Sequence, residues 1–243
     1  MSGFSTLKLA ATIVRATVEA MAIDVYWGSG SPYSWRVLLA LEHKRLAYTS
    51  HHLRFSKQEH QAPQILALNF RGRVPILKDG DYVVFESLAV LYYLDEKYPE
   101  LPIFGRTPEE AGVIMRVICE YEHYAEADVM QIVHAFFEHR HAGQEEELAR
   151  SMHVVGREAR SIEARLAKSD WVVGESFSAA DMVIFPGIQT LLHALRKPEA
   201  HDLASRFLPL EANYPAIGRW LARVEALPGY ARTYPPHWRE PSA

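Results

Sequence analysis

The hydrophobic pattern of the chain changes character once, at the proline-rich stretch from Pro99 to Pro108. Ahead of it, short apolar runs alternate with turn residues; behind it, apolar residues recur only at the three- and four-residue spacing of helices. A chain divided in this way is expected to fold as an α/β unit followed by an all-helical one. Its 243 residues, 49% of them hydrophobic, suffice to bury a core in each.

In the first unit, Ile23 to Trp27 reads as a buried strand and Gly28 to Ser31 as a loop. Pro32 opens a helix at the position where its fixed φ helps and its missing N–H does no harm, and Val37, Leu38 and Leu41 carry the helical period toward Lys44. A second strand is predicted over Ala47 to Leu53 and a short helix over Pro63 to Leu68. Val74 to Leu77 and Tyr82 to Phe85 form a hairpin pattern around Asp79-Gly80. Leu88, Leu91, Leu94 and Tyr98 mark a helix that stops before Pro99. The α/β unit thus spans 23–98, with 99–108 as linker.

The helical unit covers 109–243. Ala111, Ile114, Met115, Ile118, Ala125, Val129, Ile132, Val133 and Phe136 predict one long helix, and Leu148, Met152, Val155, Ala159, Ile162 and Leu166 a second. A third begins at Ser178, where Ser178-Ala179-Ala180-Asp181 has capping-box spacing with aspartate replacing glutamate, and Pro186 is expected to kink it. A fourth begins at Pro215. Cys119, on the stripe of the long helix, reads as a small buried hydrophobe. Residues 1–22 read as an extension, expected to be disordered or loosely docked, with an overlong gene start or a weak targeting segment as alternatives.

Several classes are excluded. A net charge of −4 with no lysine and arginine stripe argues against nucleic-acid binding. The apolar run from Leu88 to Leu94 falls far short of the ~18 to 20 residues a membrane helix needs. Cys119 alone forms no internal disulfide, CxxC pair or multi-cysteine zinc site, so thiol chemistry uses this thiol or one brought from outside, in a reducing compartment; a cytoplasmic location is expected. His123, His134, His139 and His141 lack HExxH spacing, and no metal site is expected.

Three features carry chemistry. Ser31 stands before Pro32 at a helix start, whose free N–H groups and partial positive charge stabilise an anion; its ordinary role there is an N-cap accepting from the N–H of Ser34. Val74-Pro75 opens a strand after Asn69 to Arg73. Glu86-Ser87 starts a helix immediately after a strand, where an acid and a cap are common. Each is unremarkable singly, but all three fall within one small α/β unit.

Together they resemble the glutathione transferase superfamily from Met21 onward. SPYSWRVLLALEHK resembles its active-site loop and first helix, LALNFRGRVPIL its glutathione-backbone segment, FESLAVLYYL its γ-glutamyl site, and VVGESFSAADMVIFP its helical-domain folding motif. The resemblance implies a thioredoxin-like first domain, a cis Val74-Pro75 bond pairing Val74 with the cysteinyl backbone of glutathione, and a homodimer. Ser31 matches the hydroxyl that serine-type members use to stabilise the bound thiolate. Lowering a thiol pKa near 8.5 by about two units requires roughly 2.7 kcal/mol, within reach of one charge-assisted hydrogen bond at ~1.5–3 kcal/mol and a helix terminus at ~0.3–1. No metal and no cofactor beyond glutathione as co-substrate is then needed. Glu86 and Ser87 match the pair that receives the γ-glutamyl ammonium and carboxylate. His60 and Arg73 are candidates for the glycyl carboxylate. Tyr26 is the alternative thiolate donor, since other members use a tyrosine at the end of the first strand. Phe70 stands where the family usually has proline, and Tyr33 where the maleylacetoacetate isomerase branch, which SWRV also resembles, has cysteine. The implied function is conjugation of glutathione to a small hydrophobic electrophile, with glutathione-dependent isomerisation or a non-catalytic scaffold role as alternatives. Tyr121, His123, Tyr124 and Asp128 are candidates for the electrophile pocket.

Overall fold

A computed structural model describes residues 23–239; the extension predicted over 1–22 lies outside the described residues. Strand β1 (Ile23–Trp27) leads through a loop into helix α1 (Pro32–His43) and strand β2 (Tyr48–His52). Two 3-10 turns and a short helix α2 (Pro63–Leu66) follow, then the hairpin β3 (Ile76–Asp79) and β4 (Tyr82–Phe85), and helix α3 (Ser87–Lys97). The strands form one sheet in the order β2-β1-β3-β4, with β1 parallel to β2 and antiparallel to β3. The third strand starts two residues later than predicted, because Val74-Pro75, a cis bond, lies ahead of the ladder. Gly80 and Asp81 make the hairpin turn, with Gly80 at φ 60°. Asp79, expected in the turn, instead ends β3 opposite Tyr82: it is buried and accepts hydrogen bonds from the hydroxyls of Tyr93 and Tyr98. Burial opposes its charge, yet those bonds and Lys97 hold its carboxyl below the usual carboxylate range.

The helical domain comprises α4 (Pro108–Tyr124), α5 (Glu126–Phe137), α6 (Glu145–Leu166), α7 (Ala179–Leu195), the short helices α8 (His201–Ala204) and α9 (Leu210–Asn213), α10 (Pro215–Glu225) and α11 (Tyr230–Thr233). The single long helix predicted over 111–136 is two: the chain turns at Ala125, which leaves helical geometry at φ −130°. No glycine or proline marks the break, so packing around the buried Ala125 overrides its helix propensity. Cys119 is half-buried rather than buried, because it sits on the flank of the α4 stripe. Helix α7 is apolar around nearly its whole circumference and forms the centre of the domain. It runs through Pro186 to Leu195 in one piece, and the Pro186 carbonyl accepts from the Thr190 hydroxyl at 2.7 Å. Its start is the expected capping box, in which Asp181 also accepts from the Val172 N–H and the Trp220 indole.

Helix α1 joins the domains. Ten of its twelve residues are buried, as it packs against α3 of its own domain and against α7 and α11 of the helical one. Trp35 donates to the Thr233 hydroxyl at 2.9 Å, and Lys44, at the end of α1, ties Asp95 to the carbonyls of Tyr98 and Leu101.

Candidate active site

The sheet register brings the predicted residues to one edge. Tyr26 pairs with Ile76, which places Val74-Pro75 beyond the end of β1 beside the loop from Gly28 to Ser31. Ile76 pairs with Phe85, so Glu86 and Ser87 emerge at that same edge. Trp27 pairs with His52, and the Leu53 N–H continues the ladder to the Trp27 carbonyl at 2.8 Å, bringing the segment with Phe55 and His60 alongside.

Ser31 caps α1: its hydroxyl oxygen accepts from the Ser34 N–H at 3.2 Å. That bond uses an oxygen lone pair and leaves the O–H proton to be donated elsewhere. The expected cap and a thiolate donor are therefore compatible in one side chain. Ser34, buried, accepts from the Gly28 N–H at 3.3 Å and stabilises the loop from beneath. Gly30 has φ 83°, and a Cβ there would stand 3.0 Å from the His237 ring. The C-terminal segment thus lies on the active-site loop: the Ser29 hydroxyl meets His237 Nδ1 at 2.5 Å, while Trp238 stacks on His193 with ring centroids 4.2 Å apart.

Glu86 precedes α3 with φ 71°, a left-handed conformation rare for a residue with a side chain and typical of functional sites. Its carboxylate does not cap the helix, and the first carbonyl used is its own, by the Val90 N–H at 2.9 Å. The amides of residues 87–89 thus precede the helical ladder. Ser87 is not a cap either: its hydroxyl accepts from the guanidinium of Arg36 at 3.2 Å. Arg36, 1% exposed, also donates to Glu122 at 3.0 Å and to Glu126, at the junction of α4 and α5. The sequence carried no signal for this cluster beyond the presence of a charged residue in the apolar pattern of α1.

Tyr26 lies on the sheet face opposite Val25 and Trp27, its ring stacked on His51 at 4.5 Å. Burial, with Asp24 adding, pushes its phenol pKa up. His60 is half-buried with its ring edge-on to Phe55 at 5.2 Å, and its Nδ1 has no partner among the described residues. The Phe55 ring fills the space that a Cβ on Gly28 would need, which sets His60 at the rim of the active-site loop. Arg73 is exposed, and its charge reaches the Tyr33 phenol. Of the electrophile-pocket candidates, Tyr121 is placed elsewhere: it is buried, with its hydroxyl against Gly187 in α7. His123 and Tyr124 are exposed and Asp128 is half-buried. Among the described residues, no group of three or more histidine, cysteine, aspartate or glutamate side chains is gathered to hold a metal ion.

A mixed four-stranded sheet with a cis proline at the edge where a hydroxyl-bearing helix starts, joined to a helical domain, defines the class of two-domain proteins built on a thioredoxin-like unit. The family model described as "Glutathione S-transferase, N-terminal domain" matches residues 30–97, and that described as "Glutathione S-transferase, C-terminal domain" matches residues 126–228. The chain belongs to the glutathione S-transferase family. It is 29% identical to glutathione S-transferase A of Pleuronectes platessa, with 91% of this chain and 95% of that protein covered. It is 30% identical to maleylacetoacetate isomerase of Pseudomonas aeruginosa, covering 81% and 93%. The crystal structure of a glutathione S-transferase from the Antarctic clam Laternula elliptica superposes with a TM-score of 0.76 at 31% identity, covering 91% of this chain and 95% of that one.

Proposed function

We propose that the protein is a glutathione transferase of the serine type, which binds glutathione, holds its thiol as the thiolate and presents it to a small hydrophobic electrophile. The observation that carries this reading is the double role open to Ser31, whose oxygen accepts from the Ser34 N–H while its proton remains free for a sulfur at the start of α1. Val74 beside that loop, and Glu86 with the free amides of α3, supply complementary groups for a peptide backbone and an α-amino acid end. His60 and Arg73 are the side chains assigned to the glycyl carboxylate. Glutathione serves as co-substrate, with no metal or further cofactor; the protein works as a homodimer in the cytoplasm, in detoxification. Membership of the family, and relatives named as glutathione S-transferases over nearly the full chain, support the assignment.

Glutathione-dependent isomerisation is a second reading, favoured by the likeness to maleylacetoacetate isomerase. Tyr33 weighs against it, since that branch has cysteine there. The experiment is retention on immobilised glutathione followed by parallel assays, conjugation to a chlorinated nitroaromatic and cis–trans isomerisation of maleylacetoacetate. Retention with conjugation is expected. Isomerisation alone would move the assignment to the second reading, retention without either to a scaffold, and no retention would remove all three.

A further inference from the structure

Arg36 is a guanidinium buried at the seam between the domains, and its partners come from three elements. From α1 it donates to Ser87 at the start of α3, to Glu122 in the last turn of α4, and to Glu126 at the first residue of α5. The Tyr33 ring lies over it at 4.9 Å, and its Nε has no acceptor among the described residues. Two carboxylates for one guanidinium are more than neutralisation requires, and taking the guanidinium out of water is costly. An ion pair kept under these conditions invites a role beyond holding the domains together.

Direction of donation supplies that role. Arginine carries donors and no acceptor, so in the Arg36–Ser87 bond the hydroxyl oxygen accepts and its own proton turns away from the guanidinium. Ser87 does not cap its own helix, and the amides of residues 87–89 open beside it. We infer that Arg36 is a positioning residue for glutathione: it holds Ser87 with the O–H directed at the α-carboxylate, while Glu122 and Glu126 of the helical domain hold the guanidinium in place. The inference rests on the proposal that the start of α3 receives the γ-glutamyl end. An ordinary interdomain ion pair would contribute stability without regard to where the Ser87 proton points.

A double-mutant cycle read by calorimetric titration with glutathione separates the two. Ser87→Ala is expected to raise Kd about 10-fold, the loss of one charge-assisted hydrogen bond. Arg36→Lys keeps a charge but loses the planar fork, and should raise Kd roughly 5- to 10-fold while leaving the thiol pKa of bound glutathione unchanged. In the Ser87→Ala background, Arg36→Lys should add less than about 2-fold, because the effect travels through the missing hydroxyl. Should Arg36→Lys fail to fold, Glu122→Gln, whose carboxylate is partly exposed, gives the same cycle with a smaller rise of about 2- to 3-fold. Fully additive effects, or a lowered melting temperature with Kd unchanged, would overturn the role of Arg36 alone. If Ser87→Ala binds glutathione like the parent, both this inference and the γ-glutamyl assignment fall.

Discussion

Ser31 performs two tasks with one oxygen, and replacing it separates them. Ser31→Ala removes the bond to the Ser34 N–H, at about 1 kcal/mol of stability for a lost N-cap. If the side chain also donates to sulfur, the pKa of bound glutathione should rise by one unit or more and turnover at neutral pH should fall roughly 10-fold or more. Spectroscopic titration of the thiolate measures the shift. Tyr26→Phe is the control, since a tyrosine stacked on His51, on the sheet face opposite Val25 and Trp27, is expected to leave the titration unchanged. A shift in Tyr26→Phe with none in Ser31→Ala would transfer the role to the strand residue. At this scale the sequence was informative, because an N-cap and its proline are separated by one position and act through adjacent backbone.

Helix α7 shows what an element imposes on its neighbours. Gly187 lets α4 approach so closely that a Cβ would overlap the Tyr121 hydroxyl and crowd its ring. Gly187→Ala should therefore destabilise the protein by about 2 kcal/mol or more despite the better helix propensity of alanine, and Tyr121→Phe should restore part of the loss by removing the hydroxyl. Urea unfolding of the two single variants and the double variant measures both, and a stabilising Gly187→Ala would show that the approach relaxes freely. At the start of the same helix, burial pushes Asp181 from 3.8 up to about 6, although Val172, Ser178 and Trp220 all donate to it. The folded value lies above the unfolded one, so the folded state binds the extra proton between them. The stabilising contribution is complete below about pH 4 and is lost as pH rises through about 6, by roughly 3 kcal/mol for a two-unit shift. The margin of the parent over Asp181→Asn should then be larger at pH 4 than at pH 7; a margin independent of pH would contradict the raised value.

For the whole molecule, the proposed dimer accounts for surface that one subunit leaves uncovered. On α3, Val90, Leu91 and Leu94 are buried inward, while Tyr92 on another side of the helix is 56% exposed. Phe70, in the loop ahead of the cis proline, is 72% exposed with the Arg71 guanidinium 4.3 Å from its ring. A two-fold pairing that covers such residues follows the commonest oligomeric symmetry. Sedimentation equilibrium at micromolar concentration should give about twice the 27.6 kDa of the chain; a mass near the single value would rule out a stable dimer.

What the sequence determined by itself is what neighbouring residues decide among themselves: the change from strand to helix period at Pro99, a hairpin around Gly80, the Ser31 cap and the Ser178–Asp181 box. Turn chemistry, capping and periodicity act over a few positions, so they are legible without a fold. Only the tertiary structure decided the break at Ala125, the removal of Tyr121 into the core, and the seating of the C-terminal His237 on Gly30. It also joined Arg36 to Ser87, Glu122 and Glu126, residues 51 to 90 positions away in the chain. The reason is physical: a buried charge takes whichever partners the packed elements bring within hydrogen-bond reach, and that choice is made by the docking of α1 between two domains rather than by any local pattern in its sequence.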